Sequence, residues 1–292
     1  MKSIDTAIES FTTILKNPKI IIVFFGFLAF LLTIQFAVSI VMQPYIEKAV
    51  EDFISSPPID IETATRFEII EALFSSMLPT LLPYMILFFV VILLSYPFFN
   101  GILISLGKQA KNKKRVSIKN AFDEAKAKYL SLLGAYSIRA GAFAVIGITY
   151  LLLLASAINN ASILSLAIVL FGILFFFVIG ILLTLWLFEA ETVVITENKK
   201  AIDAVKRSYE ITSKRLLSLI ATCFFFVILT FGILFVLILI AFPISLFDKF
   251  LATDLFGTIF AIFIELPVFS LIGSAGGILP VVFYYNYIPK KR

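Results

Sequence analysis

This chain has no histidine, one cysteine and one tryptophan, and only 15% of its 292 residues are charged. The missing histidine removes the commonest general base, the commonest metal ligand and every Ser-His or Cys-His triad. The lone cysteine, Cys223, sits inside an apolar run, which excludes disulfides within the chain and thiolate metal sites. Four long stretches carry no charge at all: Ile20 to Ile46, Ala72 to Gly107, Ala140 to Phe188 and Leu216 to Phe247. A fifth, Leu255 to Pro289, is interrupted only by Glu265. Crossing a hydrocarbon layer of about 30 Å at about 1.5 Å per helical residue takes roughly 20 apolar residues, and each stretch is long enough. The composition as a whole is 61% hydrophobic with a mean hydropathy of +1.05. Soluble domains carry about 25% charged residues and lie well away from this.

The charges that are present are sorted by side. Of the twenty-four Lys and Arg, three precede the first apolar run (Lys2, Lys16, Lys19), eight lie from Lys108 to Lys128, six from Lys199 to Arg215, and three form the tail. Between the first two runs there are seven acids (Glu47, Glu51, Asp52, Asp60, Glu62, Glu68, Glu71) against Lys48 and Arg66. Lys and Arg are retained on the cytoplasmic side during insertion, so this asymmetry predicts both termini inside and an even number of crossings. The expected spans are about 19–43, 80–106, 133–157, 161–188, 216–244 and 257–287, with an extracytoplasmic acidic loop over 44–79. A basic balance of this kind reports orientation in the cell membrane and not nucleic-acid binding. The first run starts well into the chain and has no cleavage site after it, so it reads as a retained span. Backbone groups facing lipid must be satisfied internally, and continuous runs exclude a barrel. The fold class expected is therefore an all-α integral membrane protein, one domain over 1–292, with its six transmembrane helices in three hairpins.

Three segments align without gaps on Ala7, Ala121 and Ala204: SIDTAIESFTTILKNPKIII, SIKNAFDEAKAKYLSLLGAY and KAIDAVKRSYEITSKRLLSL. In the first, apolar residues fall at Ile4, Ala7, Ile8, Phe11 and Leu15, and in the second at Ile118, Ala121, Phe122, Ala125 and Tyr129, which is one face of a helix. Each segment lies on the basic side and leads into an odd-numbered span. It is expected to be a cytoplasmic amphipathic helix whose Lys and Arg meet anionic headgroups.

Chemistry is sparse. Glu189 and Glu191 stand two apart at the inner end of span 4, a spacing that points them to different faces, and they read as a solvated helix end. Glu47, Glu51, Asp52, Asp60 and Glu62 could supply oxygens to a divalent cation, but their spacing matches no loop motif and a solvated pair of short helices joined at Ser55-Ser56-Pro57-Pro58 is the expectation. GSAGG over 273–277, with Ser137/Gly141 and Ala140/Ala144 in span 3, predicts close helix packing. Pro97 in span 2 and Pro267 and Pro280 in span 6 predict kinks or local unwinding. The candidate intramembrane polar residues are Asn100, Arg139 and Glu265. Arg139 and Glu265 either pair across spans 3 and 6 or snorkel apart to opposite surfaces, and snorkelling is the favoured reading.

The stretch VVITENKKAIDAVKRSYEITSKRLLSLI, from the end of span 4 into span 5, resembles the membrane domain attached to some glycerophosphoryl diester phosphodiesterases and to related multi-pass proteins of unknown role. The matching positions are Glu197, Ala204, Val205, Lys206, Arg207, Ser208 and Tyr209. The ending PVVFYYNYIPKKR is similar to their terminal aromatic-basic segment, with Asn286 where an acid is expected. The resemblance implies a membrane domain and not the hydrolase, whose separate soluble domain requires histidines and clustered metal-binding acids. No catalytic, cofactor or metal site is expected. The expected function is non-enzymatic: a scaffold, an assembly factor or a membrane partner, associated with lipid and with a membrane protein or a second copy of the chain. The alternative is a small-molecule or lipid transporter with a cavity between spans 2, 3 and 6.

Overall fold

A computed structural model describes residues 2–55, 65–159, 163–251 and 255–288. Among them every regular element is a helix: α1 (Lys2–Lys16), α2 (Lys19–Ser55), α3 (Arg66–Lys111), α4 (Ile118–Ala127), α5 (Tyr129–Asn159), α6 (Ile163–Trp186), α7 (Ala190–Glu197), α8 (Ala201–Lys214), α9 (Leu216–Leu251), α10 (Leu255–Phe260) and α11 (Leu266–Tyr287). A π-helical turn, Ala261–Glu265, joins the last two. Six of the helical stretches are long and apolar enough to cross a membrane. Their outer faces are bare hydrocarbon, with Phe171 73% and Phe263 72% exposed, a surface that water does not tolerate over such an extent.

The breaks between helices have local causes. Pro18 lacks an N–H and pushes Asn17 out of the helical region, so α1 ends, and α2 restarts with the Ile20 N–H donating to the Asn17 carbonyl at 3.0 Å. Ser117 begins α4 by accepting from the Asn120 N–H at 3.4 Å. The chain leaves α3 and α7 through left-handed residues, Lys113 (φ 55°) and Asn198 (φ 56°), the conformation that terminates helices.

The fold divides into two compact units, one of Met1–Phe25 with Tyr96–Arg292 and one of Gly26–Ser95. In the second unit the distal parts of α2 and α3 bring the rings of Tyr45 and Tyr84 to 6.3 Å. The segment 44–79, expected as an acidic loop with short helices, is instead largely a continuation of these two helices. Its apolar residues Ile46, Val50 and Phe53 keep the spacing of one helix face, so α2 runs on through Pro44 and buries Phe53. Asp60, Glu62 and the Ser56-Pro57-Pro58 joint lie outside the described residues, as do Asn160, Asp254 and the tail 289–292.

In the first unit the internal repeat becomes a closed cycle of contacts. Ala7, Ala121 and Ala204 are each fully buried. Every short helix packs on the long helix that ends the preceding repeat. Phe122 of α4 meets Phe98 of α3 edge-on at 5.1 Å, Tyr209 of α8 meets Trp186 of α6 at 5.5 Å, and α1 closes on α11 with Ser3 Oγ 2.9 Å from Tyr287 OH. Each also reaches the odd-numbered span of that preceding repeat. Here α8 packs on α5, α1 packs on α9 through stacked Phe11 and Phe226, and the segment entering α4 accepts a hydrogen bond from Lys19 of α2 at the Val116 carbonyl.

α11 approaches its neighbours through glycines. A Cβ on Gly277 would stand 2.8 Å from Leu103 Cδ1, and one on Gly273 would run into the Phe24 ring. The small-residue face expected on span 3 is different, because around Gly141 there is open space. The two proline expectations also part company. α3 is α-helical through Pro97, whereas the last span widens into its π turn just before Pro267, which cannot donate a backbone bond.

Candidate functional site

A polar part of the interior is built around α7, whose sequence AETVVITE sets Glu191 and Thr192 among the apolar Ala190, Val193, Val194 and Ile195. Ala190 to Ile195 are all buried, so this short helix is a core plug and not the solvated helix end expected for Glu189 and Glu191. The sequence reading ended span 4 at Phe188, where the uncharged run stops. The apolar VVI that follows carries the chain back into the core, and the two acids go with it.

A single side chain brackets the α6–α7 joint. Ser208 Oγ donates to the Trp186 carbonyl at 2.7 Å and accepts from the Glu189 N–H at 3.1 Å, so both backbone groups freed by the break are satisfied. The far end of α7 is held by cations. The Ile195 carbonyl accepts from Lys108 Nζ at 2.9 Å and from Lys128 Nζ at 2.8 Å, and the same lysines grip Glu124 at 2.7 and 3.1 Å. Partial burial works against the Glu124 charge, but hydrogen bonds from Lys108 and Ser105 outweigh it and hold its carboxyl below the usual range. Glu197 accepts from Tyr284 OH at 2.8 Å and pairs with Arg207 at 3.3 Å.

Of the three candidate polar residues, two meet here. Arg139 forms an ion pair with Glu191 at 2.9 Å, and its guanidinium lies over the Tyr136 ring at 5.1 Å. Asn100, buried on α3, donates to the same Glu191 at 3.5 Å, the long end of a hydrogen bond. Glu265 sits in the π turn with no ion-pair partner among the described residues. The pairing of Arg139 with Glu265, held open by the sequence, is therefore replaced by a pairing with Glu191. Glu191 is hidden as the partner in the sequence because an acid just past an uncharged run looks solvated. The signal that could have found it is the apolar run resuming at Val193.

Four of the positions that carry the family resemblance are connectors. Ser208 brackets the joint, Arg207 and Glu197 tie α8 to α7, and Tyr209 packs on Trp186. The aromatic ending does the same work: Tyr284 holds Glu197, Tyr285 accepts from Asn112 at 3.1 Å, and Tyr287 meets Ser3. Asn286 donates to Glu9 at 2.8 Å and accepts from Lys111 at 3.0 Å, a bridge that an acid at this position would spoil by repelling Glu9. Glu9 is partly buried, yet hydrogen bonds from Lys111 and Asn286 keep its carboxyl below the ordinary range.

Among the described residues no group of three or more Cys, Asp or Glu is placed to hold a metal ion. Glu47, Glu51 and Asp52 are exposed.

These features define an all-helical protein with six helices suited to a bilayer and a polar joint buried at the basic end. The chain belongs to the family described as a domain of unknown function, DUF7847, which matches residues 1–288. No curated protein and no solved structure matches it, and nothing among the matches connects it with glycerophosphoryl diester phosphodiesterases.

Proposed function

We propose that this is a non-enzymatic multi-pass protein of the cell membrane, with both termini and the basic end cytoplasmic, acting as a scaffold, assembly factor or membrane partner. In this reading α1, α4 and α8 lie at the inner interface. Exposed Lys113, Lys114, Arg115 and Lys206 face anionic headgroups, and exposed Leu130 and Leu217 dip into the acyl boundary. The observation that carries the proposal is that the ion-paired residues of the interior are committed to one another and to joining helices. Arg139, Glu191 and Asn100 are consumed by one another, and Glu124, Glu197, Lys108, Lys128 and Arg207 are spent on joining helices.

The alternative is a small-molecule or lipid transporter with a cavity between spans 2, 3 and 6, and one observation favours it. Thr192, Ser270 and Ser274 are buried with hydroxyls that have no partner among the described residues, groups that a polar solute would satisfy if the bundle opened. Substituted-cysteine labelling separates the two readings. In a Cys223→Ala background, Asn100→Cys in membranes should resist an impermeant thiol reagent applied from either side. Labelling from either side would sink the scaffold reading in favour of transport.

A further inference from the structure

The α6–α7 joint holds two acids and one cation. Glu191 is 3% exposed and is paired with Arg139, while Glu189 is wholly buried two residues earlier. Among the described residues, both carboxyl oxygens of Glu189 lack a hydrogen-bond partner and no Lys or Arg lies within ion-pair distance of it. Its own N–H is committed to Ser208. The surroundings give a charge nothing to work with. Leu185, Leu219 and Phe283 form a compact apolar cluster, with Phe188 and Cys223 packed against it. Cys223 of α9 and Glu191 of α7 are the electrostatic neighbours of Glu189. Thr192, one turn on, has a hydroxyl beside the carboxyl that is also unsatisfied by ordinary hydrogen-bond geometry.

A carboxylate in such a place would be an unpaired, unsolvated anion beside a second carboxylate, and a site of this kind neutralises by taking up a proton. Arg139 can balance only one of the two acids, and the geometry gives it to Glu191.

We propose that Glu189 is a proton-binding site of the folded protein: at neutral pH its carboxyl carries one proton, leaving the Arg139–Glu191 pair as the neutral complement. Binding forms one O–H bond on a Glu189 carboxyl oxygen as one O–H bond of a solvent hydronium breaks and leaves water, with no bond broken in the protein. The new O–H then has the Thr192 hydroxyl as its neighbour. The titratable groups that act on the Glu189 carboxyl are Glu191 on α7 and Cys223 on α9, neither of them a cation. This inference rests on the burial of the joint and not on the scaffold reading. Inward exposure of Asn100 would leave it standing.

Infrared spectroscopy of the protein in lipid at neutral pH tests it directly. The wild type should show the carbonyl stretch of a protonated carboxylic acid, shifting in D2O, lost in Glu189→Gln and displaced in frequency in Glu189→Asp. Gln matches the neutral acid in shape, so Glu189→Gln should also fold with an unchanged melting temperature. If Glu189→Gln fails to fold, the position of the band in Glu189→Asp decides. Absence of a protonated-acid band in the wild type, or a band indifferent to both substitutions, overturns the proposal.

Discussion

At the residue scale the energetics of the interior turn on Arg139 and Glu191. Bringing two charges out of water opposes folding, and their attraction together with the Asn100 contact offsets that cost without a large surplus. Removing one member leaves the other buried and alone. Glu191→Gln should therefore lower stability by about 3–5 kcal/mol, whereas the double change Arg139→Leu with Glu191→Leu should recover most of the loss. Thermal unfolding in detergent measures both. A double variant no more stable than Glu191→Gln alone would show that the pair is not what holds these positions. By the same geometry, reversing charges between Arg139 and Glu265 should give no mutual rescue. The sequence marked Asn100 and Arg139 as polar residues inside apolar runs because nothing nearby could match them. It hid their partner because an acid just past the end of an uncharged run looks solvated, and only tertiary packing of Ala190 to Ile195 shows otherwise.

At the element scale, α7 and the chain ends are held by side chains that reach between helices. Asn286 is the sharpest test, since it serves Glu9 and Lys111 with opposite ends of one amide. Asn286→Asp removes the donor and sets a second carboxylate beside Glu9. A loss of about 1–3 kcal/mol is expected on thermal unfolding, and a neutral result would mean that the bridge is not formed. These clamps also set the response to acid. Glu9 and Glu124 titrate below the ordinary glutamate value in the folded protein, so their contribution is complete above the unfolded value, about 4.3. It is lost as the pH falls through the folded one. Stability should decline below about pH 4, and Glu124→Gln should flatten that decline while lowering stability at neutral pH. The close approach of α11 to α3 gives a third check. Gly277→Val should cost about 1–3 kcal/mol by forcing Leu103 aside, while Gly141→Val, in open space, should cost little. Both glycines fit small-residue patterns in the sequence. Pattern alone could not say which face would meet another helix, because that depends on how the long helices are arranged.

At the scale of the whole molecule, the class and the positions of the long helices were legible because uncharged runs of such length have one stable solution. The repeat was legible too, down to the three equivalent alanines that prove fully buried. The cycle by which each short helix packs on the preceding repeat was not, since it is written in contacts such as Ser3 with Tyr287 that are far apart in the chain. If a bilayer surrounds this chain with its basic end inside, side-specific labelling will find the two ends of the long helices on opposite sides. In a Cys223→Ala background, Glu51→Cys should react with an impermeant maleimide on intact cells, while Lys113→Cys and Lys206→Cys should react only after the membrane is opened. Labelling of Lys113→Cys or Lys206→Cys on intact cells would contradict the account.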